Sequence, residues 1–400
     1  MTKNTLLLLL LVITSQAFAQ GIIWETDIEI AFKKAKVTNK PVFIECYLTT
    51  CPICMSFEPV LKTNAAVGAF YNKNFINFKL NGEKAEQVKF LNDKNIYLPS
   101  FPMFLYFDAN KNLIHQSDAG EPKEENIVNL GKVALDPAKR ASSYKKRYEE
   151  GERDFNLLFA YAYYARVIKD TTTNLNIANS LYETYPKEEL NSATSWALTK
   201  KIVMDIDNGF AQHWFEHVDI ARQYETQAGH ANGEQNALGG IIQASMFSPR
   251  GMNYSSAKIN TIKEYMTKIG ADQYKDSFTW QHEAKALVRE GQPDKAAAIV
   301  ESLATKVVDN GPSLVYLASF INDNLTDTKY TTLSQKWLNQ AKPLLKENNH
   351  WAEYYYQYAR LNQKTGNKAE ASQNLTEAKK YATLAKTDLK KYNELAEQLK

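Results

Sequence analysis

The chain has 400 residues and a mass of 45.5 kDa, which is more than one hydrophobic core usually serves, so we expect two or three domains. Hydrophobic residues make up 44% of the sequence and charged residues 23%, with 16 glycines and 12 prolines, which excludes a largely disordered or fibrous chain. A net charge of +3 gives no electrostatic reason to expect binding to nucleic acid or to anionic lipid.

The first 19 residues have the pattern of a secretory signal peptide. Lys3 supplies a short positive segment, residues 6–13 are apolar without interruption, and Ala17 and Ala19 are the small residues that a signal peptidase reads. The alternative, a membrane anchor, is disfavoured because about 8 to 10 apolar residues are far fewer than the roughly 20 that span a bilayer. We therefore expect cleavage after Ala19 and a secreted, periplasmic protein.

All three cysteines, Cys46, Cys51 and Cys54, lie within nine residues of one another. They are too few and too close together for a framework of several disulfide bridges. A structural zinc site needs four nitrogen or sulfur ligands, and the nearest histidine is His115, so we expect no metal. A reversible dithiol/disulfide pair and an inert disulfide bridge both remain open at this point.

The segments on either side of the cysteines have different periodicities. Apolar residues at helical spacing predict a helix over residues 27–37, and residues 42–47 are predicted to form a buried strand. Pro52 suits the first turn of a second helix, which puts Cys51 at the helix N-terminus, where unpaired N–H groups and the helix dipole favour a thiolate. Cys54 falls one turn further in. This arrangement favours Cys51 as the nucleophile and Cys54 as the resolving thiol.

Several motifs around the C-x-x-C occur together in one order. They are Trp24, Ala31, Lys40-Pro41-Val42, the C-x-x-C at 51–54, Pro59, Phe78-Lys79-Leu80-Asn81, Ser100-Phe101-Pro102-Met103 and Gly120. With these motifs, residues 22–135 resemble the thioredoxin superfamily. The resemblance implies an α/β thioredoxin-like domain over residues 20–137, with a central mixed sheet flanked by helices.

The resemblance also implies roles for residues near the dithiol. Glu45 matches the buried acid that accepts the proton of the resolving thiol, and burial raises the pKa of a carboxyl as such a relay requires. Lys79 matches the lysine near this acid, although a strand-end lysine in solvent is the alternative. With Cys51 and Cys54, these are the residues expected to be catalytic. Cys46, on the opposite side of the strand from Glu45, is expected to be buried as a small apolar residue, with a third redox thiol as the alternative.

Pro102 matches the cis-proline that lies beside the active-site sulfurs in this superfamily. The backbone next to that proline pairs with an extended substrate strand, so the resemblance implies that Phe101, Pro102 and Met103 bind substrate. Phe101 is larger than the residue common at its position, and Thr50 replaces the Trp that usually precedes the first cysteine. Both departures bear on substrate choice.

Residues 138–400 are predicted to be helical throughout. The spacing of a tetratricopeptide-like helical hairpin occurs around Gly291 and again around Gly366, 75 residues later, with room for a degenerate unit between them. The positions that carry this spacing are Trp280, Ala284, Leu287, Ala296, Val300 and Leu303, and then Tyr355, Ala359, Ala371, Leu375 and Ala378. We expect an all-α, tetratricopeptide-like domain whose concave face binds a peptide or protein partner. The alternative is a helical bundle that only packs on the first domain.

Residues 213–217 match H-x-x-E-H, the motif of inverted zinc peptidases, which puts two histidines and a glutamate on one helical face. Nothing in the sequence marks a third ligand, and short motifs recur by chance. We therefore favour aromatic packing on an ordinary helix over a metalloprotease.

Together these features predict a secreted thiol-disulfide oxidoreductase that acts on protein disulfides through Cys51 and Cys54, with a reductase favoured over an oxidase. Its expected partners are protein substrates with disulfides or thiols and an upstream thiol-disulfide electron donor or acceptor. No dissociable cofactor, nucleic acid or integral membrane segment is expected. The alternative is an interaction or scaffold protein, in which the helical repeats bind partners and the thioredoxin-like domain is a docking module.

Overall fold

The structure is a computed structural model that describes residues 21–400. The predicted signal peptide, residues 1–19, lies outside the described residues. The chain divides into two compact units, with the boundary between His213 and Trp214. All strands of the described chain lie in the first unit, and the second unit is helical.

A five-stranded mixed sheet forms the centre of the first unit. Its strands are β1 (Trp24–Glu25), β2 (Val42–Tyr47), β3 (Ile76–Asn81), β4 (Met103–Phe107) and β5 (Leu113–Asp118). The spatial order is β1-β3-β2-β4-β5; β3 is parallel to both β1 and β2, and the pairs β2–β4 and β4–β5 are antiparallel. The apolar run of β2 reflects its central place, where both faces are covered. The predicted mixed sheet is confirmed.

Five helices cover the two faces of this sheet. They are α1 (Ile28–Thr38), α2 (Pro52–Thr63), α3 (Ala65–Asn74), α4 (Ala85–Asp93) and α5 (Glu124–Leu135). On one face, apolar residues of α2, α3 and α5 form a core with Phe43, whose ring centroid is 4.6 Å from that of Tyr71. On the other face, Phe32 of α1 and Phe90 of α4 pack against Phe107. Helix α2 is held against the sheet by Phe57, whose ring meets that of Phe104 edge-on at 5.9 Å between centroids, and this contact fixes the start of α2, where the C-x-x-C lies.

The first unit continues into further helices that pack with the sheet. They are α6 (Tyr144–Glu149), α7 (Phe155–Val167), α8 (Thr171–Thr184) and α9 (Ala193–Ile202). The Ala141 N–H donates to Nδ1 of His115 at 3.1 Å, and the Tyr164 hydroxyl donates to the Leu113 carbonyl at 3.3 Å. Burial lowers the pKa of His115 to about 4, so its ring is neutral and can accept this hydrogen bond at neutral pH.

The predicted domain boundary near Ala138 lies just after helix α5, and no strand of the described chain follows it. The division into compact units falls later, inside α10 (Gly209–Glu216), because α6 to α9 belong with the sheet. A boundary at Ala138 between parts that fold independently stays a prediction.

The second unit is built from consecutive helices. They are α11 (Val218–Gln227), α12 (Gly233–Met246), α13 (Ser256–Lys268), α14 (Lys275–Arg289), α15 (Pro293–Lys306), α16 (Gly311–Asn324), α17 (Thr331–Ala341), α18 (Asn348–Lys364), α19 (Lys368–Leu384) and α20 (Lys390–Leu399). The predicted helical region is confirmed. Gly291 joins α14 to α15 and Gly366 joins α18 to α19, and their φ angles of 72° and 83° are strained for any residue with a Cβ. Among the helices of residues 21–400, none is both long and apolar enough to cross a membrane.

Asn174 on α8 ties three helices of the first unit together. Its side chain is fully buried, and its amide donates to the carbonyls of Ala162 on α7, at 2.8 Å, and Ile202 on α9, at 2.7 Å. Buried hydrogen bonds of this kind fix how helices pack because few alternative partners are available to the same groups.

We expect Asn174→Ala to lower the free energy of unfolding by about 1–3 kcal/mol, since it removes two buried hydrogen bonds. Urea denaturation followed by circular dichroism measures the loss. Asn176→Ala, at an exposed position of the same helix, is the control and should change the value by less than about 0.5 kcal/mol. Equal effects of the two substitutions would show that the Asn174 contacts do not hold the helices together.

Candidate active site

Cys51 lies directly before helix α2, shortly after the end of strand β2. It is the N-cap of the helix, with an extended backbone, and its Sγ accepts a hydrogen bond from the Cys54 N–H at 3.3 Å. Pro52 takes the first helical position, where its missing N–H costs no hydrogen bond. The loop before Cys51 is held by Glu83, whose carboxylate accepts from the Thr49 N–H at 3.0 Å and from the Thr49 hydroxyl at 2.5 Å.

The two cysteines of the C-x-x-C differ in exposure. Cys54 is 5% exposed, whereas Cys51 is partly exposed, and both are free thiols. Burial and the hydrogen bond to the Cys51 sulfur raise the pKa of the Cys54 thiol, and the charge of Glu45 adds to this effect. Cys54 is therefore held as a protonated thiol behind an accessible sulfur.

The third cysteine, Cys46, is fully buried in β2. Burial, with a contribution from the Glu45 charge, raises the pKa of its thiol. Both effects disfavour the thiolate, which is the reactive form of cysteine. The predicted burial of Cys46 is confirmed.

Glu45 is a carboxyl in the protein core, with 1% of its surface exposed. It lies in β2 directly opposite Lys79 of β3, whose Nζ is 3.4 Å from the Glu45 Oε2. Burial raises the pKa of Glu45 to about 7, although the positive charge of Lys79 lowers it. A carboxyl that titrates near neutral pH can both accept and release a proton there.

Lys79 bridges two acids. Besides Glu45, its ammonium group pairs with Glu58 on α2, and it lies 5.4 Å from the ring centroid of Trp24 and 5.1 Å from that of Tyr47. Burial alone would lower the pKa of Lys79, but the two carboxylates outweigh burial and raise it. Lys79 is thus paired with acids rather than left in solvent, while its catalytic role stays a prediction.

Glu58 belongs to this cluster although the sequence motifs do not single it out. It comes four residues after Cys54 in α2, so the two residues lie on one face of the helix. The four-residue spacing between Cys54 and Glu58 is the sequence signal that could have identified Glu58 as a residue near the dithiol. Whether Glu58 pairs with Lys79 depends on the packing of α2 on β3, which no local pattern gives.

The loop before strand β4 faces Cys51. Its Phe101–Pro102 peptide bond is cis, and the Phe101 carbonyl oxygen is 3.8 Å from Cys51 Sγ. The Phe101 ring packs beside Gly82, where an added Cβ would come within 3.0 Å of the ring, so the glycine leaves room for this large side chain. Pro102 and Met103 are buried, and Met103 pairs with the strands on both sides. Of the three predicted substrate-binding residues, Phe101 is therefore the accessible one.

The H-x-x-E-H segment makes ordinary contacts. His213 Nε2 is 2.9 Å from the side-chain oxygen of Asn191, and Glu216 pairs with Lys268 at 2.6 Å. Trp214 is buried. Within residues 21–400, no three His, Cys, Asp or Glu side chains are grouped so that they could hold a metal ion.

Residues 23–109 match a protein-family model described as thioredoxin-like. These residues form a thioredoxin-like domain. The chain is also similar to the solution structure of a candidate disulphide-isomerase from Bacteroides thetaiotaomicron, at 24% identity and a TM-score of 0.26, over 30% of this chain and 96% of that chain. A comparison with curated proteins gave no match. The thioredoxin-like match includes strands β1 to β4 and the C-x-x-C, and the helical remainder lies outside it.

In the thioredoxin-like domain, the raised pKa of Glu45 makes stability depend on pH. A pKa of about 7 in the folded state, against the ordinary 4.5, means that the folded protein binds this proton more tightly than the unfolded chain does. The resulting stabilisation is fully present below pH 4.5 and is lost as the pH rises through 7. The full stabilisation is about 3 kcal/mol, since one pKa unit corresponds to about 1.4 kcal/mol.

Between pH 5 and pH 9, the free energy of unfolding of the unmodified protein should fall by most of this amount, whereas that of Glu45→Gln, which stays neutral, should not fall through this effect. Urea unfolding of the reduced proteins at several pH values measures the difference. Glu86→Gln, an exposed acid on α4, is the control and should leave the pH profile unchanged. A Glu45→Gln profile parallel to that of the unmodified protein would rule out a buried carboxyl that titrates near neutral pH.

Proposed function

We propose that this chain is a secreted thiol-disulfide oxidoreductase that acts on protein disulfides through Cys51 and Cys54. The observation that carries the proposal is the accessible Cys51 sulfur at a helix N-terminus, which accepts a hydrogen bond from the backbone N–H of Cys54. The Cys54 thiol is itself buried, and the charge of the buried Glu45 carboxyl acts on it. An inert disulfide bridge needs no acid in the core, and burying one is costly. A role for Glu45 in accepting the proton of Cys54 explains why this acid is buried beside the dithiol.

In the reducing direction, the Cys51 thiolate attacks one sulfur of a substrate disulfide. The substrate S–S bond breaks, a mixed disulfide forms between Cys51 and the substrate, and the released substrate thiolate takes up a proton. Cys54 then gives its proton to Glu45, and its thiolate attacks Cys51 Sγ; the mixed disulfide bond breaks, and the second substrate thiolate is released and takes up a proton from solvent. The substrate gains two electrons and two protons, and the Cys51–Cys54 disulfide is returned to the dithiol by a thiol-disulfide electron donor through the reverse exchange.

The acid–lysine–acid cluster supports the proton step. Cys54 is a poor nucleophile until its proton is removed, because its pKa is raised, and Glu45, with a pKa of about 7, is a base suited to neutral pH. Lys79 links Glu45 to Glu58, whose side chain is 52% exposed. This chain of charged groups connects the buried carboxyl with solvent.

The surroundings of Cys51 favour a polypeptide as the substrate. The Phe101 carbonyl, next to the sulfur, is an acceptor at the position where an extended chain would pair. Ile53 and Met55 are 59% and 62% exposed, and exposed apolar side chains beside a reactive group suit contact with a protein surface. Met103 contributes to the loop's attachment to the sheet rather than to its accessible surface.

The reducing direction and the location are proposed from the sequence. The segment from Trp24 to Pro41 resembles secreted relatives of the reductase type, which favours reduction over oxidation. The N-terminal pattern of residues 1–19 supports a secreted, periplasmic protein. Such a compartment contains the protein disulfides on which a reductase acts.

The helical remainder is proposed to bind a peptide or protein partner. Lys263, Trp280 and Leu303 are among the residues that line a cavity of about 310 Å³ at helices α13 to α15. A cavity of this size, lined by an aromatic side chain and by charged groups, suits a side chain of a bound segment. The cavity also favours the second candidate function, a scaffold protein for which the dithiol is dispensable.

Reduction of insulin disulfides by a thiol donor tests the proposal. We expect the unmodified protein to accelerate the reaction and Cys51→Ser to lower the rate by roughly 100-fold or more, because the attacking sulfur is gone. Cys54→Ser should accumulate mixed disulfides between Cys51 and substrate proteins, which non-reducing gel electrophoresis and peptide mass spectrometry detect. Cys46→Ala, the third cysteine, is the control and should remain active. Full activity of Cys51→Ser would refute the dithiol mechanism and favour the scaffold function.

A further inference from the structure

Asp118, the last residue of strand β5, anchors the loop that faces Cys51. Its Oδ1 accepts a hydrogen bond from the Ser100 hydroxyl at 2.5 Å. Ser100 immediately precedes Phe101, whose carbonyl oxygen lies 3.8 Å from Cys51 Sγ. The position of the Phe101 carbonyl beside Cys51 Sγ therefore depends on how firmly the Asp118 carboxylate is held.

Two side chains from the helical part of the first unit hold Asp118. The Tyr163 hydroxyl, on α7, donates to Asp118 Oδ1 at 2.7 Å and lies 3.3 Å from the Ser100 hydroxyl. Lys201, on α9, pairs with the other carboxylate oxygen, and its Nζ lies 4.3 Å from the Tyr163 ring centroid. Tyr163 is only 4% exposed, so packing fixes its hydroxyl in this position.

The same ends of α7 and α9 are attached to the loop and to each other by backbone groups. The Val167 carbonyl, at the end of α7, accepts from the Tyr97 N–H at 2.7 Å, three residues before Ser100. Arg166 donates from Nη1 to the Lys201 carbonyl at 2.9 Å. The loop is thus joined to these helices both through Asp118 and through its own backbone.

We infer that Tyr163 and Lys201 are positioning residues for the substrate-binding loop, so that helices α7 and α9 form part of the active site. This inference rests on the proposed function, in which a polypeptide disulfide pairs with the loop beside Cys51. A loop that is fixed before binding loses less conformational freedom when the substrate binds, which raises affinity. A small disulfide needs only the sulfur and gains nothing from the loop. Tyr163 and Lys201 therefore favour polypeptide disulfides over small ones.

Matched variants in the full chain separate this role from a general effect on stability. Tyr163→Phe removes the hydroxyl and keeps the ring. Tyr164→Phe is its control, because Tyr164 is the next residue on α7 and donates to the Leu113 carbonyl at the other end of β5. Lys201→Met removes the charge that pairs with Asp118, and Lys201→Arg keeps it. For each variant, kcat and KM are measured with insulin, the rate is measured with a small aromatic disulfide, and hydrogen–deuterium exchange is measured for residues 97–103.

We expect Tyr163→Phe and Lys201→Met to raise KM for insulin about fivefold with kcat nearly unchanged, since a hydrogen bond worth about 1 kcal/mol corresponds to that ratio. The rate with the small disulfide should stay the same, and residues 97–103 should exchange faster. Tyr164→Phe and Lys201→Arg should behave like the unmodified protein.

An unchanged KM for insulin, an equal loss of rate with the small disulfide, or the same changes in Tyr164→Phe would overturn the inference, since a merely structural effect does not discriminate between substrates. Failure of the unmodified protein to reduce insulin would refute the proposed function instead. In that case faster exchange confined to residues 97–103 would still support the positioning of the loop, and unchanged exchange would overturn it.

Discussion

The buried carboxyl of Glu45 is the constraint on which the arrangement of this site depends. A charged group that is 1% exposed costs several kcal/mol unless it is neutralised or paired. Lys79 supplies the partner because the parallel register of β2 and β3 puts the two residues opposite each other. Lys79 also pairs with Glu58 on α2, the helix that begins after Cys51. Glu45 therefore links the register of β2 and β3, through Lys79, to the position of helix α2, which begins at the dithiol.

The loop at Phe101 is a second element that contacts the dithiol. The loop that holds the Phe101 carbonyl beside Cys51 is attached through Asp118 to helices that follow the sheet in sequence. Asp118, Tyr163 and Lys201 all lie outside the residues matched as thioredoxin-like, which end at 109. The matched residues thus include the sulfurs, the acid and the Phe101 loop, while strand β5 and the later helices of the first unit hold that loop in place.

The parts of this protein that could be predicted have local signals. The apolar run of β2 and the proline after Cys51 mark a strand and a helix start, and Gly291 and Gly366 mark connections between helices. Contacts between residues far apart in sequence have no such signal: Glu58 and Lys79 are 21 residues apart, and Asp118 and Tyr163 are 45 apart. For the same reason the sequence did not show that α6 to α9 pack with the sheet, since an apolar helix face does not identify the core that it joins.

The redox equilibrium of Cys51 and Cys54 is the most direct test of this account. The protein is equilibrated with defined ratios of reduced and oxidised glutathione, quenched with acid, and its disulfides are quantified by peptide mass spectrometry. We predict one two-electron transition between the Cys51–Cys54 dithiol and disulfide, with a potential of about −270 mV, that of thioredoxin, and with Cys46 free throughout. Absence of a Cys51–Cys54 disulfide at every ratio would contradict the redox mechanism, and a potential of about −120 mV, that of a strong oxidase, would contradict the reducing direction.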